Sequence, residues 1–140
     1  MAIVLEKKFV IDEQDKSVGV KLPLTKGNNG YFDVSYTTKE QIKTNIKALL
    51  LTNKGERFMQ PEFGADLKRV LFEPITDDLD TILETKITEA IDMWMPYVNV
   101  ESIVYDTSNS LKDMNRIDLE LKYSLKYSNS TTLEQLNIVI

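Results

Sequence analysis

Twelve residues near the C-terminal end leave the chain little conformational choice. From Arg116 to Tyr127 apolar and polar side chains alternate without a break. Ile117, Leu119, Leu121, Tyr123, Leu125 and Tyr127 fall on one face; Arg116, Asp118, Glu120, Lys122, Ser124 and Lys126 fall on the other. Successive side chains of a strand point to opposite faces, so a period of two predicts a β-strand with one dry and one wet side. At about 3.3 Å per residue, such a strand would span roughly 40 Å, longer than most in a small domain. One wet face is the habit of antiparallel sheets. Two neighbours can complete one. Tyr97 to Tyr105 alternates over Val98 and Val100 and then changes phase to Ile103 and Tyr105, which predicts a bulge near Glu101-Ser102. A polar hairpin loop over Asp106–Asp113 follows, and Leu136, Ile138 and Ile140 alternate again after the break at Asn129.

Two stretches carry the helical period instead. Thr38 with Gln41 three residues later has the spacing of a capping box, and Ile42, Ile46, Leu49 and Leu50 form one apolar face. Lys39, Lys43 and Lys47 occupy a solvated side, and Asn53 and Gly55 supply the stop. The second helix opens after Thr76, where Asp77, Asp78 and Asp80 complement the positive end of the helix dipole. Its stripe is Leu79, Ile82, Leu83, Ile87, Ala90, Ile91 and Trp94, and Pro96 ends it. Earlier, Val18–Leu24 contains Gly19 and Pro23 and suits an edge strand. Lys26–Gly30 reads as a turn, and Tyr31–Tyr36 as the return strand. The fold class expected is α+β, with two amphipathic helices packed on an antiparallel sheet formed mainly by the C-terminal third. With 140 residues the chain is expected to be a single domain, residues 1–17 being a candidate N-terminal arm.

Composition removes whole classes of chemistry. The sequence has no cysteine and no histidine. Disulfides, thiol nucleophiles and Ser-His-acid or Cys-His arrangements go with them, as does the commonest metal ligand. No cofactor, no metal site and no catalytic residue is expected. A net charge of -5 argues against a general nucleic-acid binder. No apolar run approaches the roughly 20 residues of a membrane span, and Glu6, Lys7 and Lys8 follow Ile3-Val4-Leu5 in the reverse order of a signal peptide.

Between the helices lies a stretch with no period but many order-making residues, Gly55 to Pro74. Gly55 and Gly64 allow backbone angles closed to other residues, and Pro61 and Pro74 fix φ. Phe58, Met59, Phe63, Leu67, Val70, Leu71 and Phe72 predict a buried connector against which other elements pack. Thr52 followed by Gly55, Glu56, Arg57, Pro61, Glu62, Phe63, Gly64, Leu67, Leu71, Phe72, Glu73 and Pro74 resembles the signature of the small baseplate wedge proteins of contractile phage tails, relatives of a type VI secretion baseplate component. The likeness runs from about Val18 to Ile140.

The resemblance implies a structural protein of the virion's contractile-tail baseplate, assembled in the host cytoplasm. It would link the wedge to the tail sheath and initiate sheath assembly by strand addition. The partners it implies are other wedge proteins and the sheath protein, with tube or hub proteins as further candidates. Leu136, Ile138 and Ile140 would supply the strand edge for the sheath, since an open edge is a template for another chain's strand. Trp94, Met95, Pro96 and Tyr97 would face the wedge. There the family has an aromatic residue followed by Glu-Pro-Arg, so Met95 and Tyr97 replace the acid and the base; either the partner surface accepts apolar contacts there or this site is not used. The family is also labelled lysozyme-like. The alternative is therefore a carboxylate-based muralytic glycoside hydrolase drawing a pair from Glu56, Glu62, Asp66 and Glu73, one of them with a raised pKa. Arg57, Lys68 and Arg69 interleave with these acids, which favours ion pairs that hold the connector.

Overall fold

A computed structural model describes residues 16–27, 30–71, 79–106, 118–126 and 133–140. The chain divides into two compact units, Met1–Asn45 and Ile46–Ile140.

In the first unit, β1 (Gly19–Val20) and β2 (Val34–Ser35) form a short antiparallel ribbon pairing Gly19 with Ser35 and Val20 with Val34. The expected strands over Val18–Leu24 and Tyr31–Tyr36 are cut to two residues each. Pro23 has no N–H for a ladder, and Tyr31 and Phe32 stand out in solvent. Lys21 Nζ sits 3.7 Å from Asp33 and 3.6 Å from Glu40, tying the ribbon to the helix that follows.

That helix, α1 (Thr38–Leu51), begins one residue later than its cap. Thr37, not Thr38, accepts the Glu40 N–H on its hydroxyl at 3.2 Å, and Glu40 reaches back to the Tyr36 N–H at 3.2 Å. Thr37-x-x-Glu40 competes with Thr38-x-x-Gln41 for the same role. The carboxylate wins, since it also meets the positive end of the helix. Gln41 turns instead to Asn45.

In the second unit the last turns of α1 bury Ile46, Leu49 and Leu50. A helix of five residues, α2 (Leu67–Leu71), buries Leu67 and Val70 and packs on α3 (Leu79–Trp94). Leu79, Leu83, Ile87, Ala90 and Ile91 form the buried stripe of α3, as their spacing requires. Thr76, Asp77 and Asp78, expected at its start, lie outside the described residues.

α3 packs against β3 (Val98–Asp106), the first strand of a three-stranded antiparallel sheet in the order β3-β4-β5, with β4 at Asp118–Leu125 and β5 at Glu134–Val139. The architecture is α+β, and the sheet comes from the C-terminal strands. The bulge falls where the phase change puts it: pairing runs Val100–Tyr123 and resumes at Ser102–Lys122, leaving Glu101 unpaired. In β4 Leu119, Leu121 and Tyr123 are buried as the alternation demands. Leu136 and Ile138 of β5 lie opposite Leu121 and Leu119 on the same face. Two residues depart from the pattern. Ser124, expected on the wet side, is 9% exposed because its hydroxyl donates to Glu101 Oε1 at 2.8 Å, while Leu125 is half-buried. The bulge makes that carboxylate available. Asp106, expected to open the hairpin loop, is the last residue of β3, and the rest of that expected loop, Arg116, Ile117 and Tyr127 lie outside the described residues.

Candidate partner-binding site

The aperiodic stretch is a chain of small, specific fixings. A helix end leaves its last carbonyls without partners, and here the connector and its neighbours supply them. Thr52 Oγ1 donates to Ala48 O at 2.5 Å, and the Ala65 N–H returns to Leu49 O at 3.2 Å. Glu56 closes the turn beyond the helix: its carboxylate accepts the Asn53 N–H at 3.0 Å and the Asn53 side-chain amide at 2.7 Å. Those bonds, the backbone one first, hold the Glu56 carboxyl below its ordinary value. Gly55 has φ +89° and donates to Pro61 O at 2.7 Å, pinching the neck of a loop. Gly64, at φ +127°, passes so close to the end of α1 that a Cβ would strike the Thr52 carbonyl.

Three side chains then stack. The Arg57 guanidinium lies 3.6 Å above the centre of the Phe63 ring, and Phe63 meets Trp94 edge to face with centroids 5.1 Å apart. Two stretches that are separate in the sequence, the signature and the end of α3, are thereby one surface. The charge pattern predicts an ion pair between Arg57 and a neighbouring acid; among the described residues its contact is the aromatic face instead. A planar, weakly hydrated guanidinium suits that role.

The expectation of a buried connector needs correction. Leu67 and Gly64 are buried, but Phe58 is 96% and Met59 86% exposed. Pinching the loop at Gly55 and Pro61 turns its middle outward, a consequence of tertiary geometry that hydrophobicity alone cannot reveal. Glu62, Pro61 and Arg57 are exposed, and Phe63 is half-buried. Phe72, Glu73 and Pro74 lie outside the described residues.

Of the residues expected to face the wedge, Met95 is 4% exposed and belongs to the core. Its side chain offers no patch. Trp94 and Tyr97 are half-buried, Pro96 is exposed, and the Tyr97 carbonyl is taken by the Lys126 N–H at 3.0 Å. Of the residues expected at the sheath edge, Leu136 and Ile138 point into the core, and Ile140 is half-buried. Any strand added there would meet the main chain of β5, not those side chains.

Of the four acids expected to offer a catalytic pair, Glu73 lies outside the described residues. Glu56 moves in the direction opposite to a general acid. Glu62 and Asp66 line an open cleft of about 260 Å³ with Glu89, Lys54, Lys86, Met93 and Trp94. Ligand sites are commonly roughly 300–1,000 Å³ and mostly apolar. This one is smaller and lined by charges of both signs. Lys54, Lys86 and Glu89 carry no signal in the sequence, since residues on α3 and on the loop meet only in the fold. Among the described residues no helix is long and apolar enough to cross a membrane.

Known proteins agree with this geometry. The family model for baseplate wedge protein gp25 matches residues 31–130. Baseplate wedge protein gp25 of Enterobacteria phage T4 is 28% identical over 101 residues, covering 69% of this chain and 70% of that protein. Among solved structures, the baseplate of the anti-feeding prophage contains a chain of the same fold, with TM-score 0.63 and 19% identity over 79% of this chain and 86% of that one. A Geobacter sulfurreducens protein provisionally described as a tail lysozyme shares the fold at TM-score 0.59 and 23% identity, over 71% of this chain and 88% of that one. With the signature in place and the greater part of its length matched, the chain belongs to the gp25 family of baseplate wedge proteins.

Proposed function

We propose that the chain is a structural component of a contractile-tail baseplate wedge that joins other wedge proteins to the tail sheath and seeds sheath assembly by strand addition. It would act in the virion, after assembly in the host cytoplasm, with tube or hub proteins as further neighbours. The observation that carries this reading is the place of β5. It is the outermost strand of its sheet, paired to β4 along one side, and among the described residues no strand pairs with its other side. A row of open N–H and C=O groups is what strand addition uses.

Deleting the C-terminal segment would be a poor test, because Leu136 and Ile138 would leave the core with it. A proline scan over Gln135–Ile138 is better. Successive N–H groups of a strand point to opposite sides, so alternate positions break either the β4 ladder or only the open edge. The edge-facing prolines are expected to leave the melting temperature within a few degrees and to abolish sheathed tails in electron micrographs. Normal sheaths on particles carrying them would refute the reading.

The muralytic alternative finds little support in a small cleft whose acids are interleaved with lysines. The purified protein is expected to release no soluble fragments from peptidoglycan. Turnover lost in both Glu62→Gln and Glu89→Gln, with the fold intact, would establish the hydrolase instead.

A further inference from the structure

The open border of β5 carries none of the devices that usually keep a strand from pairing with its own kind. Edge strands of free proteins are blunted by lysine, proline, a bulge or an inward charge. From Gln135 to Val139 the strand has no charge, no proline and no glycine, and its pairing with β4 has no break in register. Gln135, Asn137 and Val139 are exposed on one face, while Leu136 and Ile138 are buried on the other. The contrast with β3 is plain, since that strand has its bulge at Glu101.

We propose that the free chain pairs with a second copy of itself along β5, two-fold about Asn137, and that the incoming sheath strand must displace this dimer. The displacement rests on the strand-addition reading above. A closed dimer needs a two-fold axis, which makes the two strands antiparallel. In an antiparallel pair, opposed residues exchange both main-chain bonds, so border-facing residues must meet border-facing residues. These recur at every second position, as the side-chain faces do. The axis therefore passes through a residue, and the apolar faces of the two copies stay on the same side. Two centres keep most of the strand paired. Centring on Leu136 would set the Glu134 carboxylate beside Ile138 on the apolar face. Centring on Asn137 sets Leu136 opposite Ile138, Gln135 opposite Val139 and Asn137 opposite its own copy, with no charge among them. Leu136 and Ile138 are already buried, so pairing covers little apolar surface beyond Val139. Six residues a side is also well short of the roughly 20–30 of a standard interface, so the dimer is weak and another strand can replace it.

The test uses the full-length chain in solution. Sedimentation velocity over a concentration series should show a reversible monomer–dimer equilibrium. Asn137→Lys and Asn137→Glu each set like charges face to face at the axis, so each alone should lose the dimer while melting as the parent does. Mixing the two should restore it as a heterodimer. The chain has no cysteine, so Asn137→Cys should give a disulfide-linked dimer on oxidation. Gln135→Cys, whose two copies would lie roughly 14 Å apart along the strands, should not. The oxidised Asn137→Cys dimer should seed no sheaths, and reduction should restore them. A parent chain that stays monomeric, a dimer that survives Asn137→Lys, or equal crosslinking at 135 and 137 would overturn the dimer and leave strand addition standing. Sheaths grown from the locked dimer would overturn the displacement. If edge-facing prolines abolished the dimer but left sheaths normal, strand addition would fall and the pairing of the two copies would stand.

Discussion

Replacing Gly64 by alanine tests the idea that the signature exists to lock a connector onto the end of α1. Two independent penalties apply. A side chain at φ +127° is strained, by about 1–3 kcal/mol. The added Cβ would also overlap the Thr52 carbonyl oxygen and approach the carbonyl carbons of Thr52 and Asn53 at 3.0 and 3.1 Å. These are backbone atoms, fixed by the Thr52–Ala48 and Ala65–Leu49 bonds, so relief requires moving the helix end. Overpacking of this kind typically adds about 1–3 kcal/mol. The sum is roughly 2–6 kcal/mol against a total stability of about 5–15 kcal/mol for a typical domain. Gly55 is the internal control. Its φ is +89°, but a Cβ there meets open space, so alanine should cost only about 1–2 kcal/mol. Each kcal/mol moves the midpoint by roughly 3–5 °C at this chain length. Thermal unfolding followed by circular dichroism should therefore place Gly64→Ala at least about 5 °C below Gly55→Ala, and urea titration should show an unchanged slope. Equal midpoints for the two variants would refute the argument.

Other consequences are simpler to state. Tyr123 is 1% exposed and its hydroxyl finds no partner among the described residues, so Tyr123→Phe should be neutral or stabilising by up to about 1 kcal/mol; a loss greater than that would reveal a hidden partner. Burial, then Glu84 and Asp80, push Tyr105 up to about 12, and burial and Glu134 raise Tyr123 as well. Folded values above the ordinary value of about 10 mean the native state holds these protons longer, so their stabilisation is full below about pH 10 and disappears as pH rises through 12. A melting series over that window should show the decline, and Tyr105→Phe should flatten it. Arg57→Ala should cost about 0.5–1 kcal/mol for the lost stack on Phe63, with Arg57→Lys intermediate; no change in either would mean the stack is incidental.

How legible the fold is in the sequence depends on the range of the interaction. The α3 stripe, the strand β4 and the bulge at Glu101 follow from periodicity, which is local. Helix α2 does not, because five residues make barely more than one turn and show no period. The cap of α1 slips from Thr38 to Thr37 because two threonines offer the same spacing and only the identity of the residue three positions on decides between them. Phe58 and Met59 are misplaced because apolar character signals burial on average, while a pinched neck overrides the average. Met95 is misplaced in the opposite sense, since the end of a helix looks like surface until β3 turns back under it. The stack of Arg57, Phe63 and Trp94 joins residues some thirty positions apart, beyond any window of sequence pattern.

The bulge in β3 also makes the two borders of the sheet unequal. Where Glu101 is squeezed out of register, β3 bends and twists, and an incoming chain would lose its ladder midway. β5 pairs with β4 in unbroken register from Glu134 to Val139, and among the described residues no strand pairs with its far side. A sheet blunted on one flank and open on the other can be extended in a single direction by a single segment. If sheath subunits add to this border as proposed, one per chain is expected at the first layer of an assembled particle, and a count of two would show that the kinked flank also recruits.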